Sequence, residues 1–265
     1  MRRWRILWGA AFAFTSSLWA QYVIPASSLA MAGSVSPFGR WNALFHPAGL
    51  AFGQTTRLGL SVGLPYRIPS YRQVALTAAF SPFPHTGIGA ALEYEQPHPE
   101  QQALMATIAF SRQISTTSAL GGAFHYGRAL NVITGSRHYL LGSLSFVSRL
   151  GEWGWGLSAF NIYGPWLRRP DLTPPPVIRL TAERRASFAL LRAEIIEAWP
   201  QPPGGRLAVE AHIAPQIILK GGWGFNPMNG GIGIEVKTAT FIACFAMGYH
   251  QVAYWWPAVE VGYER

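Results

Sequence analysis

The sequence predicts an all-β chain, an antiparallel transmembrane β-barrel of about 14 strands with a short N-terminal plug segment. Three observations carry that expectation. Apolar residues make up 49% of the chain and aromatic residues 14%, yet only 12% are charged, about half the charge of a soluble domain. The 28 Gly and 20 Pro are spread along all 265 residues, which disfavours helix interiors, while the apolar content is too high for disorder. From residue 57 onward the chain divides into segments of about 8–11 residues, the length a tilted strand needs to cross a bilayer, and most of them alternate with a period of two.

Residues 1–20 read as a secretory signal. Arg2, Arg3 and Arg5 form its positive start, Ile6 to Trp19 is uncharged, and Ala20 precedes a cleavage point at Gln21. Cleavage lowers the net charge of +9 by three. The remaining basic residues are scattered, with nothing longer than pairs such as Arg168–Arg169 and Arg184–Arg185. A nucleic-acid footprint needs clustering, so that class is excluded. Cys244 is the sole cysteine, which rules out an internal disulfide and a Cys-based zinc site.

Residues 21–56 are rich in Ala, Ser, Gly and Phe, with Arg40 their one Lys, Arg, Asp or Glu. A segment this apolar is expected to enter the barrel rather than float in the periplasm. The barrel itself is expected over 57–265. Its strands are read at 57–64, 71–81, 86–95, 102–112, 118–129, 137–149 and 152–163, then 177–185, 187–198, 205–213, 216–225, 230–237, 241–251 and 257–264.

The alternation is plainest in four segments. In 86–95, Ile88, Ala90, Leu92 and Tyr94 oppose Gly89, Ala91, Glu93 and Glu95. In 206–213, Leu207, Val209, Ala211 and Ile213 oppose Arg206, Ala208, Glu210 and His212. In 231–237, Ile232, Ile234 and Val236 oppose Gly231, Gly233, Glu235 and Lys237. In 258–264, Val259, Val261 and Tyr263 oppose Ala258, Glu260, Gly262 and Glu264. Segments 139–149, 153–162 and 187–197 alternate less cleanly.

The connections support the count. Those after odd-numbered strands have four or more residues, and most of those after even-numbered strands have three or fewer, the long-outside, short-periplasmic habit of outer-membrane barrels. The longest, 164–176, holds five prolines and reads as a stiff external loop. Trp166, Trp199, Trp255 and Trp256 fall near strand ends, where aromatic girdles meet the two interfaces. The more polar strand faces put Glu93, Glu95, His125, Glu210, His212, Lys220, Glu235, Lys237, His250 and Glu260 toward the lumen. They are expected either to pair and fill a narrow barrel or to line a substrate path.

A resemblance lies before the first strand. Ser28-Leu29-Ala30-Met31-Ala32-Gly33 is followed by Asn42-Ala43-Leu44-Phe45-His46-Pro47-Ala48-Gly49-Leu50-Ala51. This resembles the mature N-terminus of FadL-like outer-membrane proteins, including the PorV/PorQ group. Gly222-Trp223-Gly224-Phe225-Asn226-Pro227, Gly231-Ile232-Gly233-Ile234 and Ala246-Met247-Gly248-Tyr249-His250 are similar to the ending of that group. The resemblance implies a 14-stranded barrel plugged by its N-terminal segment, with His46, Pro47, Ala48 and Gly49 as the plug motif. His46 stands where the family element has Asn.

Signs of chemistry are weak. Gly59-Leu60-Ser61-Val62-Gly63 matches G-x-S-x-G, but Leu64-Pro65 follows where a nucleophile elbow needs a helix. The seven His show no metal-ligand spacing. No enzyme activity, metal or cofactor is expected. The expected function is passage of small hydrophobic compounds through the bacterial outer membrane. The alternative, from the same resemblance, is a non-enzymatic type IX secretion accessory that binds secreted proteins at the cell surface. The expected partners are the outer-membrane bilayer and the barrel-assembly machinery.

Overall fold

The computed structural model describes residues 24–53, 56–64, 71–98, 100–131, 135–162, 176–198, 201–250 and 254–265. The expected signal segment 1–20 therefore lies outside the described residues. Fourteen antiparallel strands close a barrel in sequence order, with the first strand paired to both the second and the last. They are β1 Arg57–Gly63, β2 Arg72–Phe80, β3 Thr86–His98, β4 Gln101–Gln113, β5 Ser118–Asn131, β6 Gly135–Leu150 and β7 Trp153–Ile162. The second half comprises β8 Val177–Arg185, β9 Ala189–Ala198, β10 Gly204–Ala214, β11 Ile217–Phe225, β12 Asn229–Lys237, β13 Phe241–His250 and β14 Tyr254–Glu264.

The period-two pattern decides which face meets which surroundings. Leu58, Leu60 and Val62 of β1, Leu76 of β2, Ile108 of β4, Leu180 of β8, Leu207 of β10 and Val259 of β14 all stand outward and exposed. Phe124 of β5 is 66% exposed on that face. Such a continuous apolar exterior is stable only against lipid. Closure also leaves no strand edge unpaired in the bilayer.

Strand β14 starts earlier than the alternation suggests. Pro257 lies within it, paired with Met247, so Trp255 and Trp256 are strand residues rather than an external connection. Consecutive strand residues point to opposite faces. Trp255 is outward, while Trp256 is buried inside among Ala26, Leu29 and Ala246. Trp256 is thus not an interface aromatic. Trp166 and Trp199 lie outside the described residues.

Residues 24–53 occupy the lumen. They form two single-turn helices, α1 Ala26–Leu29 and α2 Asn42–Phe45, then a 3-10 helix over Pro47–Phe52. Nearly all of their side chains are buried. The apolar core is the contact between this segment and the wall. Leu44 and Phe45 cluster with Ala75 and Ala91, Ala26 and Leu29 with Cys244, Ala246 and Ala258, Leu50 with Ala79, Ala109 and Ala123, and Ala48 with Ala119 and Val147. The segment supplies the bulk and the wall supplies alanines that make room for it. Each fully buried Leu of this kind contributes roughly 1.5–3 kcal/mol.

Candidate functional site

The candidate site is the plugged lumen. Its shape begins with glycine. A Cβ on Gly231 would lie 1.9 Å from the Leu29 carbonyl oxygen, and one on Gly121 would lie 2.3 Å from the Ala48 nitrogen. Strand glycines weaken a sheet unless another backbone comes close, and here the backbone of the N-terminal segment does so. That segment is then fixed by polar anchors from the wall. Ser27 donates through its nitrogen and its hydroxyl to Glu260, at 2.9 and 2.6 Å. Ser61 accepts from the Ala26 nitrogen at 3.0 Å, and Ser145 from the Ala48 nitrogen at 2.7 Å. Arg206 donates to the Gly33 carbonyl at 2.6 Å. Arg40 pairs with Glu260 and, at 3.5 Å, with Glu264.

His46 sits at the centre of the segment with no exposure. Its Nδ1 lies 2.6 Å from the Ser158 hydroxyl of β7, and its Nε2 lies 3.4 Å from the Thr181 hydroxyl of β8. Thr181 in turn donates to Glu194. Gly156 leaves space for the ring, because a Cβ there would be 3.1 Å from the imidazole Cε1. Burial holds the pKa of His46 well below 6.5, and the charges of Arg179 and Arg192 reinforce the shift. The ring is neutral and bridges two adjacent strands. Pro47 begins the 3-10 helix, and Ala48 and Gly49 pack inside it.

The lumen-facing charges form a belt across five strands. Arg192 of β9 pairs with Glu183 of β8 and Glu210 of β10, both at 3.2 Å. Lys220 of β11 pairs with Glu210 at 3.7 Å and with Glu235 of β12 at 3.0 Å. A second, shorter row holds Glu194 between Arg179 at 3.1 Å and Arg206 at 3.3 Å. In the opposite wall, His125 lies between Thr107 at 2.8 Å and Ser143 at 2.9 Å, one rung across β4, β5 and β6. Glu95 accepts hydrogen bonds from Tyr71 and from Gln73. Glu93 is buried one inward position away.

The residues expected in the lumen therefore fall into separate groups. Glu210, Lys220 and Glu235 share the belt, and Glu260 holds the N-terminal segment. Glu93, Glu95 and His125 sit on the β3–β5 wall, and His250 is half-buried on β13. His212 and Lys237 are exposed at the end of the short turns, where Lys237 pairs with Glu264 at 3.1 Å. Arg179, Glu183, Arg192 and Glu194 also line the lumen, beyond the residues expected there. Their signal was parity: Arg179, Thr181 and Glu183 are spaced by two opposite Ile178, Leu180 and Ala182.

A cavity of about 620 Å³ lies between the N-terminal segment and the wall at the end of the short turns, the periplasmic end in barrels of this type. Phe38, Trp41, Phe52 and Ile218 contribute apolar surface to it, and Arg57, Arg149 and Arg185 contribute cations.

No protein-family model and no curated protein matches this chain in sequence. Solved structures do match it in fold. The Pseudomonas putida toluene transporter TodX superposes with a TM-score of 0.65, over 91% of this chain and 96% of its own, at 11% identity. The fold is that of the FadL-type barrels. A TodX deltaS2S3 mutant, a monoaromatic hydrocarbon channel, gives a TM-score of 0.69 over 91% of this chain and 98% of its own, at 12% identity. A Pseudomonas aeruginosa FadL homologue gives 0.61 over 91% and 97%, at 9% identity. The FadL-like barrel here thus covers nearly the whole of each of these neighbours.

Proposed function

We propose that this FadL-like barrel is a passage for small hydrophobic compounds in the bacterial outer membrane, gated by residues 24–53. The observation that carries this reading is the way the lumen is closed. Where the wall meets this segment it faces inward with Gly, Ala and Ser, so the bore there is set by a separate segment that short contacts and a few anchors hold in place. The fold shared with a toluene transporter and a monoaromatic hydrocarbon channel supports a hydrophobic cargo. A PorV/PorQ-like role rests on the motifs in 28–51 and 216–265 alone.

The test is uptake of radiolabelled toluene by whole cells of a Gram-negative host with and without the chain. Cells carrying it should take up toluene several-fold faster, and deletion of residues 28–51 should change that rate. Unchanged uptake of toluene, styrene and naphthalene would sink the proposal. In that case, recovery of secreted proteins with the detergent-extracted barrel would favour the accessory reading.

A further inference from the structure

The cavity at the end of the short turns carries more positive charge than it neutralises. Seven of its lining residues are Arg or Lys, and three are Glu. Four of the cations are committed. Arg40 is held by Glu260 and Glu264, Arg192 by Glu183 and Glu210, Lys220 by Glu210 and Glu235, and Lys237 by Glu264. Arg57, Arg149 and Arg185 form no ion pair among the described residues. Arg57 faces Glu264 across the β1–β14 register, but that carboxylate is already shared by Arg40 and Lys237. The Arg57 Nε is buried without a hydrogen-bond partner.

Arg149 is placed by aromatic faces rather than by an acid. Its guanidinium lies 4.2 Å from the centroid of Phe38 and 5.9 Å from that of Phe52. Those rings belong to the N-terminal segment and meet edge to face at 5.5 Å. Arg149 also feels the repulsion of Arg185 and Arg57 across the mouth, against the attraction of Glu183. Like charges gathered at one opening destabilise each other unless an anion sits between them. The guanidinium fork suits a carboxylate, which it can grip through two hydrogen bonds. The rings of Phe38 and Phe52, with Trp41 and Ile218, offer a planar apolar body a place to lie.

We infer that this cavity binds a small aromatic carboxylate, its ring on Phe38, Phe52 and Trp41, with Arg149 and Arg185 gripping the charged end. The inference deepens the passage reading and rests on it for its biological role. It makes the periplasmic mouth a site where a weak acid is retained, and the ligand spans the segment and the wall. A ligand that bridges Phe38 and Arg149 would favour the seated position of the segment.

The test is equilibrium binding to the full-length barrel in detergent, by calorimetry, with benzoate and its neutral isostere benzamide as probes. Benzoate should bind about tenfold or more tightly than benzamide, because only the former makes charge-assisted hydrogen bonds. R149Q and R185Q should each weaken benzoate about tenfold and leave benzamide unchanged. R112Q, which removes an exposed cation on the outer face, should leave both unchanged. Heat-dependent gel mobility checks that each variant is folded, and R185Q, at an exposed strand end, serves if R149Q is not.

Equal binding of the two probes, unaltered benzoate binding in the folded variants, or an equal loss in R112Q would each overturn the inference. Toluene uptake with no benzoate binding overturns this inference alone. Benzoate binding with no uptake overturns the passage reading alone.

Discussion

His46 shows how one side chain ties a segment to a wall. The neutral imidazole satisfies Ser158 on β7 and meets Thr181 on β8, and it cannot take a proton without placing a cation beside Arg179 and Arg192. Its pKa is therefore lower when the segment is seated than when it is free, where it returns to about 6.5. Release of the segment takes up a proton below that value, so seating is strongest above about pH 6.5 and weakens as the pH falls through it. The slope is about 1.4 kcal/mol per pH unit, a factor of ten. The protection factor over residues 42–50, the exchange rate of an unstructured chain divided by the observed one, should fall about fivefold between about pH 6.5 and 5.5, and H46Q should lose the dependence. An unchanged protection factor in that interval would contradict the assignment.

The residue scale is also where the sequence was hardest to read. Glu93, Glu95, Glu210, Glu235 and Glu260 were legible because a charge interrupts an otherwise apolar alternation. Arg179, Glu183, Arg192 and Glu194 are masked in the sequence because β9 opens with Ala189, Leu190 and Leu191, apolar on both faces, and β8 ends in Arg184–Arg185 with one side chain to each face. Trp256 was misplaced for a related reason. Pro257 looked like a strand boundary, since proline donates nothing to a ladder, yet β14 runs through it.

At the scale of elements, the belt from β8 to β12 does for the second half of the wall what alanine packing does for the first. Arg192 is its keystone, with a side chain fully buried between Glu183 and Glu210. Replacing it with Met would leave two buried carboxylates facing each other, at a cost of about 3–5 kcal/mol. Folding into lipid vesicles from urea should show that loss as a lower midpoint. R192K should lose less, because it keeps the charge but not the fork. The strands themselves were legible to within three residues at each end, since their period is imposed by lipid on one side and lumen on the other. The single-turn helices of residues 24–53 left no such trace. Four residues span barely one helical period, and their conformation is set by the wall around them.

At the scale of the whole molecule, two systems of stabilisation coexist. The wall is held by its hydrogen-bonded ladder and by lipid, and the segment by the wall. They should separate. In G231L a side chain would occupy the site of the Leu29 carbonyl, and overpacking of this kind costs typically about 1–3 kcal/mol. The expected outcome is a barrel that still resists heating in detergent while residues 24–53 become open to protease. Loss of both together would show that the wall cannot stand alone.

The closure between β1 and β14 has a consequence in time. Residues 24–53 precede every strand in the chain, and β14, which completes the cylinder on β1, follows all the others. Along the chain, the contents come before the vessel. A segment already gathered against the early strands through Leu50, Ala48 and their alanine partners can act as a former, around which the remaining staves are laid. On that view early and late staves alike are pared thin where they touch it, at Gly87 and Gly121 of β3 and β5 as at Gly222 and Gly231 of β11 and β12.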